Sequence, residues 1–307
     1  MTTIETERLA SPTGADLLVR RCAVERPRAV LAIQHGMAEH SERYGRFQRA
    51  LADAGYASVA HDHRGHGGTT APDAAVGSFG TAGWDDVVAD AWGVASDASE
   101  RFDGAPLVVF GHSMGGIVAM SLALRHGAAL DGVAVWNIAF ASGIEAAAFR
   151  AVLKAERFRK GSDVPSALAR RLTFDAWNKR FAPNRTEFDW LSRDKAEVDA
   201  YAADPRCGHG VTVGMWLDVL DGTARAADDR ALGGVPRDLP FHLLGGADDP
   251  VTSGGKGTRR IADRLERAGF ADVTCEVLPS TRHEALNEVN RDTTTNAFIA
   301  WLDARFS

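Results

Sequence analysis

The sequence predicts an α/β fold, with a mostly parallel central sheet flanked by helices and a helical cap inserted between two strands. Short apolar runs alternate with helix-length stretches through the first 136 residues. That alternation stops over residues 137–235, which read as helical and aromatic-spotted. It then resumes to the end of the chain. Strands and helices alternating at this spacing are the signature of parallel βαβ units.

Taken in order, residues 29–34 (AVLAIQ) form a brief apolar run that stops at His35-Gly36. Residues 47–54 read as a helix closed by Gly55, and 56–60 as the next strand. Residues 85–101 place Val87, Val88, Ala91, Trp92 and Ala95 near one helical face. Pro106 opens residues 107–110 (LVVF), which are short and wholly apolar and therefore read as a buried strand. Gly111 breaks it, and 114–125 follow as a helix, then 132–136 as a strand. After the insertion come a strand at 239–244, a helix at 256–268, a strand at 273–278 and a closing helix at 293–306. The expected organisation is a core of residues 1–136 and 236–307, with residues 137–235 as a cap on the side where loops build the site.

The chain has 307 residues, 45% of them hydrophobic, enough for a substantial core. A net charge of −6 gives no electrostatic reason to expect nucleic acid as a partner. Cys22, Cys207 and Cys275 lie far apart without CxxC spacing, so they read as reduced thiols. Residues 1–20 carry early acids and no continuous apolar stretch, so no secretory signal is visible. Nor does any run approach the roughly 18 apolar residues of a membrane span. A soluble, cytoplasmic protein without a cofactor is expected.

Gly111-His112-Ser113-Met114-Gly115 is a G-x-S-x-G motif between a buried strand and an apolar helix. A serine on so tight a strand-to-helix turn is forced into a strained backbone conformation that presents its hydroxyl at the sheet edge. Residues two away on either side must be nearly free of side chain for strand and helix to pass. The helix N-terminus behind the serine offers N–H groups to a developing oxyanion. This context is that of the α/β-hydrolase fold, where acid and then base follow the serine along the chain.

The serine needs a base to take its proton and a carboxylate to hold that base. Downstream of Ser113 lie His126, His209, His242 and His283. His126 ends the helix, His209 falls in the insertion and His242 sits mid-strand. His283 lies in a loop after the last strand, free to reach over the sheet. For the acid, Asp248 and Asp249 compete. Asp249 is preferred because Pro250 and Gly246 fix a turn there, leaving Asp248 as a turn-capping or solvent-facing carboxylate. One oxyanion donor is the Met114 N–H. For the second, Met37 N–H after the strand at 29–34 competes evenly with a plain turn at His35-Gly36.

Three blocks carry a closer resemblance: residues 35–44 (HGMAEHSERY), 62–67 (DHRGHG) and 111–116 (GHSMGG). Together they are similar to those of the monoacylglycerol lipase and lysophospholipase group of α/β-hydrolases. Residues 246–251 (GADDPV) and 282–284 (RHE) resemble that group's acid and base blocks, and 188–194 (FDWLSRD) resembles the insertion of bacterial members. The resemblance spans nearly the whole chain. It implies Ser113, Asp249 and His283 as a catalytic triad, with Met37 and Met114 as oxyanion donors. The implied substrate is a small-molecule ester with an apolar acyl chain. Ala38 departs from the group's usual glycine, and Thr69 from a common serine.

His61, His63 and His66 invite a metal reading, since His-x-His spacing is common in binuclear hydrolases. Gly65 stands where a ligating aspartate would precede the last histidine, so a structural loop is preferred. His112, beside the nucleophile, reads as a hydrogen-bonding neighbour and not as the base. Residues 146–158 are amphipathic enough for transient contact with a membrane surface. Arg150, Lys154, Arg157 and Arg159 equally suit a solvated helix face, and that reading is preferred.

Overall fold

The structure, a computed structural model, describes residues 3–140 and 143–306. Eight strands form one sheet: β1 (Ile4–Ala10), β2 (Asp16–Cys22), β3 (Val30–Gln34), β4 (Ala57–His61), β5 (Leu107–His112), β6 (Gly132–Trp136), β7 (Phe241–Gly246) and β8 (Val273–Leu278). Ten α-helices accompany them among the described residues: α1 (Gly45–Asp53), α2 (Trp84–Arg101), α3 (Met114–His126), α4 (Gly143–Lys160), α5 (Ala167–Leu172), α6 (Phe174–Lys179), α7 (Lys195–Ala203), α8 (Val213–Ala226), α9 (Lys256–Arg267) and α10 (Arg291–Asp303).

The strand order is β1-β2-β4-β3-β5-β6-β7-β8. Strands β3 to β8 run parallel, while β2 pairs antiparallel with both β1 and β4. From β3 the chain steps one way to β4, then returns to lay β5 on the other side. Such a reversal opens a crevice at the carboxyl ends of the strands, where α/β sheets bind ligands. The loops after β3 and β5 meet there.

Alternation along the buried strands sorts the core into two layers. Leu107 and Val109 of β5 join one apolar cluster with Val87, Val118 and Ile261 of α2, α3 and α9. Val108 and Phe110 face the other way, against Phe47 of α1 and Phe298 and Leu302 of α10. Wholly apolar runs such as LVVF are therefore buried on both faces, which is why they carry no alternation.

The segment between β6 and β7 carries α4 to α8. It is fastened to the rest by Leu153, Met215 and Leu217, which join the α2/α3 layer. A separate cluster forms around Trp190, Leu191, Tyr201 and Cys207. On α4, Ile144 and Phe158 are 88% and 93% exposed, so its outer face is not purely charged. No helix among the described residues is long and apolar enough to cross a membrane.

The antiparallel ribbon β1–β2 was not expected. Ile4–Ala10 reads IETERLA and lies at the sheet edge with a mostly exposed pattern, so its apolar content is too low to mark a strand. Elsewhere the differences are at the ends. β5 continues two residues past LVVF to His112, because the turn glycine is still hydrogen-bonded in the ladder.

Candidate active site

Between β5 and α3 a single residue, Ser113, makes the whole turn, at φ 55° and ψ −122°. A non-glycine residue there is strained, and the surroundings hold it. A Cβ on Gly111 would meet the Gly115 carbonyl oxygen at 2.0 Å, and one on Gly115 would meet the Gln34 carbonyl oxygen at 2.1 Å. Both glycines of the motif are therefore demanded by close backbone approach.

The loop after β8 brings His283 over the sheet. Its Nε2 lies 2.9 Å from the Ser113 hydroxyl, and its Nδ1 lies 3.1 Å from Asp249 Oδ1. Asp249 is wholly buried, at 0% exposure, whereas Asp248 faces solvent. Asp249 also accepts from the Val251 N–H at 2.9 Å and, through Oδ2, from the Asn137 amide at 3.1 Å. Burial pushes its carboxyl upward. The neighbouring imidazole and these donors outweigh burial and hold it below the ordinary carboxylate value. The anion that orients His283 is thus maintained by its setting. Asn137, at φ 56° just after β6, had no assigned role in the sequence; an asparagine directly after an apolar strand, a residue that tolerates the left-handed region, is the signal that could have marked it.

Met114 begins α3, where a helix leaves its first N–H groups without intrahelical acceptors. Met37 lies in the loop after β3, and both methionines line the same cavity as Ser113. The neighbouring polar groups of that loop are occupied. Gly36 N–H donates to Glu39 Oε1 at 2.6 Å, and the Tyr44 hydroxyl donates to the same oxygen at 2.9 Å. Arg43 bonds Glu39 and clasps both oxygens of Glu284, at 2.7 and 2.6 Å. Glu284 follows His283 directly, so Arg43 ties the loop after β3 to the loop carrying the imidazole. In the sequence these residues stand out only as members of the 35–44 and 282–284 blocks. Their i,i+4 spacing, Glu39 to Arg43, was the available clue.

His112 approaches the site from beneath, its Nε2 2.9 Å from the His283 carbonyl oxygen. Burial pulls its pKa down, but Glu39 and Glu284 outweigh that and raise it; opposite a carbonyl oxygen, Nε2 is the donor. His242 accepts from the Trp136 indole at 3.0 Å within the core. His126 stacks on Trp92 at 3.9 Å. Neither reaches the serine.

A cavity of about 410 Å³ opens above Ser113. Much of its wall is aromatic, supplied by the insertion: Phe149, Phe174, Trp177, Trp190 and Trp216. Trp190 also lies 4.9 Å from the His283 ring, centroid to centroid. Among the described residues, the one group of His, Cys and carboxylate atoms close enough to share an ion is His40, Asp204 and Cys207. It lies outside the loop of His61, His63 and His66, and Arg206 already pairs with its carboxylate.

Residues 25–290 match the family model Hydrolase_4, described as serine aminopeptidase, S33. Among curated relatives, the chain is 28% identical over 274 residues to a monoglyceride lipase of Mus musculus, covering 86% of this chain and 82% of that one. It is 27% identical over 283 residues to a monoacylglycerol lipase of Mycolicibacterium smegmatis, covering 90% and 88%. A solved structure titled as a lipase in its open form superposes with a TM-score of 0.85 at 27% identity, over 99% of this chain and all of the other. A thermostable carboxyl esterase from Bacillus coagulans gives 0.89 at 24%, over the whole of both chains, and so speaks for the fold. The family match over most of the chain, on a sheet that places a strained serine beside an imidazole, makes this protein a member of the Hydrolase_4 (S33) family of α/β-hydrolases, an enzyme of the lipase and esterase type.

Proposed function

We propose that this chain hydrolyses carboxylic esters of monoacylglycerol-like or lysophospholipid-like form, or other esters of medium size, through an acyl-enzyme on Ser113. The observation that carries the proposal is the unbroken run of hydrogen bonds from the Ser113 hydroxyl through His283 to Asp249. As the Ser113 oxygen attacks the ester carbonyl carbon, His283 Nε2 takes its proton and Asp249 stabilises the imidazolium. The carbonyl oxygen becomes an oxyanion facing the N–H groups of Met37 and Met114. When it collapses, the C–O bond to the alcohol breaks and His283 delivers the proton to the departing oxygen. Water then repeats the sequence on the acyl-enzyme, releasing the acid and restoring Ser113.

Residues 137–235 serve as the cap, and the aromatic wall they supply suits an apolar acyl chain. Ile144 and Phe158, exposed on α4, favour brief contact of this cap with a lipid surface. Amide cleavage by the same groups is the second reading, favoured by the family's own description. An aminopeptidase needs an anion to anchor a free ammonium. Of the acids lining the cavity, Glu39 and Glu284, the two beside Ser113 and His283, are engaged by Arg43, while Glu145 is exposed in the first turn of α4; the engagement of the inner pair favours the ester. A panel of monoacylglycerols, lysophospholipids, aryl esters and aminoacyl arylamides, compared by kcat/KM, tests the substrate. A fluorophosphonate probe should give a covalent adduct located at Ser113 by peptide mass. If no adduct forms there, the nucleophile assignment fails.

A further inference from the structure

The second oxyanion donor depends on a four-residue turn, Gly36 to Glu39, and that turn is held by the cap. Its third residue, Ala38, is buried and adopts φ 56°. An L-residue with a Cβ enters this left-handed region roughly 5- to 30-fold less readily than its right-handed counterpart, whereas glycine has no such preference. Turns with a positive φ at this position favour glycine for that reason.

What opposes the strain lies mostly on the insertion. The Ala38 carbonyl oxygen accepts from the Tyr201 hydroxyl of α7 at 2.8 Å and from the Gly208 N–H at 2.9 Å. The same Gly208 N–H also lies 3.1 Å from the Tyr201 oxygen, so the three groups close on one another. Tyr201 is itself seated. Its ring packs 4.9 Å from Phe188, and the Arg43 guanidinium lies 4.8 Å from its centroid. Burial raises its phenol pKa, so it remains a donor at any working pH. On the inner side, Glu39 holds Gly36 N–H. The turn is thus gripped from within by its own carboxylate and from outside by the cap.

We infer that Tyr201 is a positioning residue for the Met37 N–H: by holding the Ala38 carbonyl it keeps the turn in the strained conformation that aims this donor at the developing oxyanion. This rests on the reading of Ser113 as nucleophile and Met37 as donor given above. It adds that the oxyanion turn is complete only while α7 is docked, so the cap contributes to turnover as well as to binding.

The test is a double-mutant cycle in the full-length protein, with a short-chain p-nitrophenyl ester that fills little of the cavity. Tyr201→Phe keeps the ring and removes the hydroxyl. In the parent it should lower kcat about 10-fold with KM within about 2-fold, because the lost interaction matters only in the transition state. In an Ala38→Gly background, where the turn needs no clamp to hold its φ, the same substitution should cost about 2-fold or less. An equal loss in both backgrounds, or a loss carried by KM, would show that Tyr201 acts on the substrate or on the cap alone, and the inference falls. Thermal melting of each variant checks folding. If Tyr201→Phe does not fold, Phe188→Leu, which loosens the seat of the ring, takes its place in the same cycle and must show the same background dependence. A fluorophosphonate adduct at Ser113 in the parent separates the two ideas. Its absence removes the nucleophile reading, whereas an adduct with no background dependence removes only the role of Tyr201.

Discussion

Four histidines crowd one part of this molecule and a single one serves another, and their settings are opposite. In one, His35, His61, His63 and His66 crowd together after β3 and β4, all at most 1% exposed, with centroids 4.4 Å apart for His35 and His63 and 4.6 Å for His61 and His63. In the other, after β8, His283 is just as buried, at 2% exposure. The difference lies in where the carboxylates go. In the first region Asp62 pairs with Arg20 and Asp90 with Arg64, and among the described residues no carboxylate is hydrogen-bonded to these imidazoles. His35 is bound to backbone instead, its Nδ1 donating to the Gly36 carbonyl and its Nε2 accepting from His63 N–H. Burial pushes all four pKa values down, that of His61 to about 4. These rings are neutral packing material. In the second region Asp249 pairs with no arginine among the described residues and turns one oxygen to His283, and the proposal of His283 as base rests on that arrangement. A histidine becomes a base through its neighbours, not through its surroundings in sequence.

The sharpest way to break this comparison is to remove one ring from each region. His283→Asn should lower kcat on an aryl ester by about 10⁴-fold or more without loss of fold by circular dichroism. A residual rate near that of the parent would sink the assignment of the base.

Separating the adjacent acids comes next. Asp249→Asn should cost about 10⁴-fold in kcat, since an amide favours the wrong imidazole tautomer. Asp248→Asn, on an exposed side chain, should stay within about 2-fold. Equal losses would mean that the turn, and not the buried carboxylate, matters.

A middle case sharpens the contrast. His112 touches the His283 carbonyl oxygen without touching the serine. His112→Asn should lower kcat roughly 10-fold and leave KM near the parent value, as expected for a group that places the base.

The smallest effect on activity is predicted in the first region, where pH acts on stability. His61 titrates near 6.5 when unfolded and at about 4 when folded. The unfolded chain therefore binds the proton more readily. Stability is full above about pH 6.5 and falls as pH drops toward about 4, by up to about 1.4 kcal/mol per pH unit for each such group. His61→Phe should make the decline in Tm between pH 7 and 5 shallower while kcat at pH 8 stays within about 2-fold. An unchanged slope would place the acid sensitivity elsewhere.

Much of this was legible in the chain because local physics fixed it. LVVF followed by Gly111 and Gly115 leaves few alternatives to a buried strand turning sharply into a helix. The preference for Asp249 over Asp248 came from Pro250 and Gly246, and the turn they make does bury the second carboxylate. Strand β1 was missed because an edge strand is stabilised by its neighbour's backbone and needs little apolar sequence of its own. Asn137, Arg43 and Tyr201 gave little sign of their roles, since each reaches a partner far along the chain.

What the sequence determined by itself, then, were the segments whose conformation depends on adjacent residues: the parallel strands, the strained serine, and the interruption that becomes the insertion. Only the tertiary structure decided which carboxylate meets which cation, and that Ala38 is held by a tyrosine 163 positions away. Periodicity and turn chemistry act over a few residues, so they are written locally. Hydrogen bonds between loops from different strands exist only once the sheet has brought their ends together.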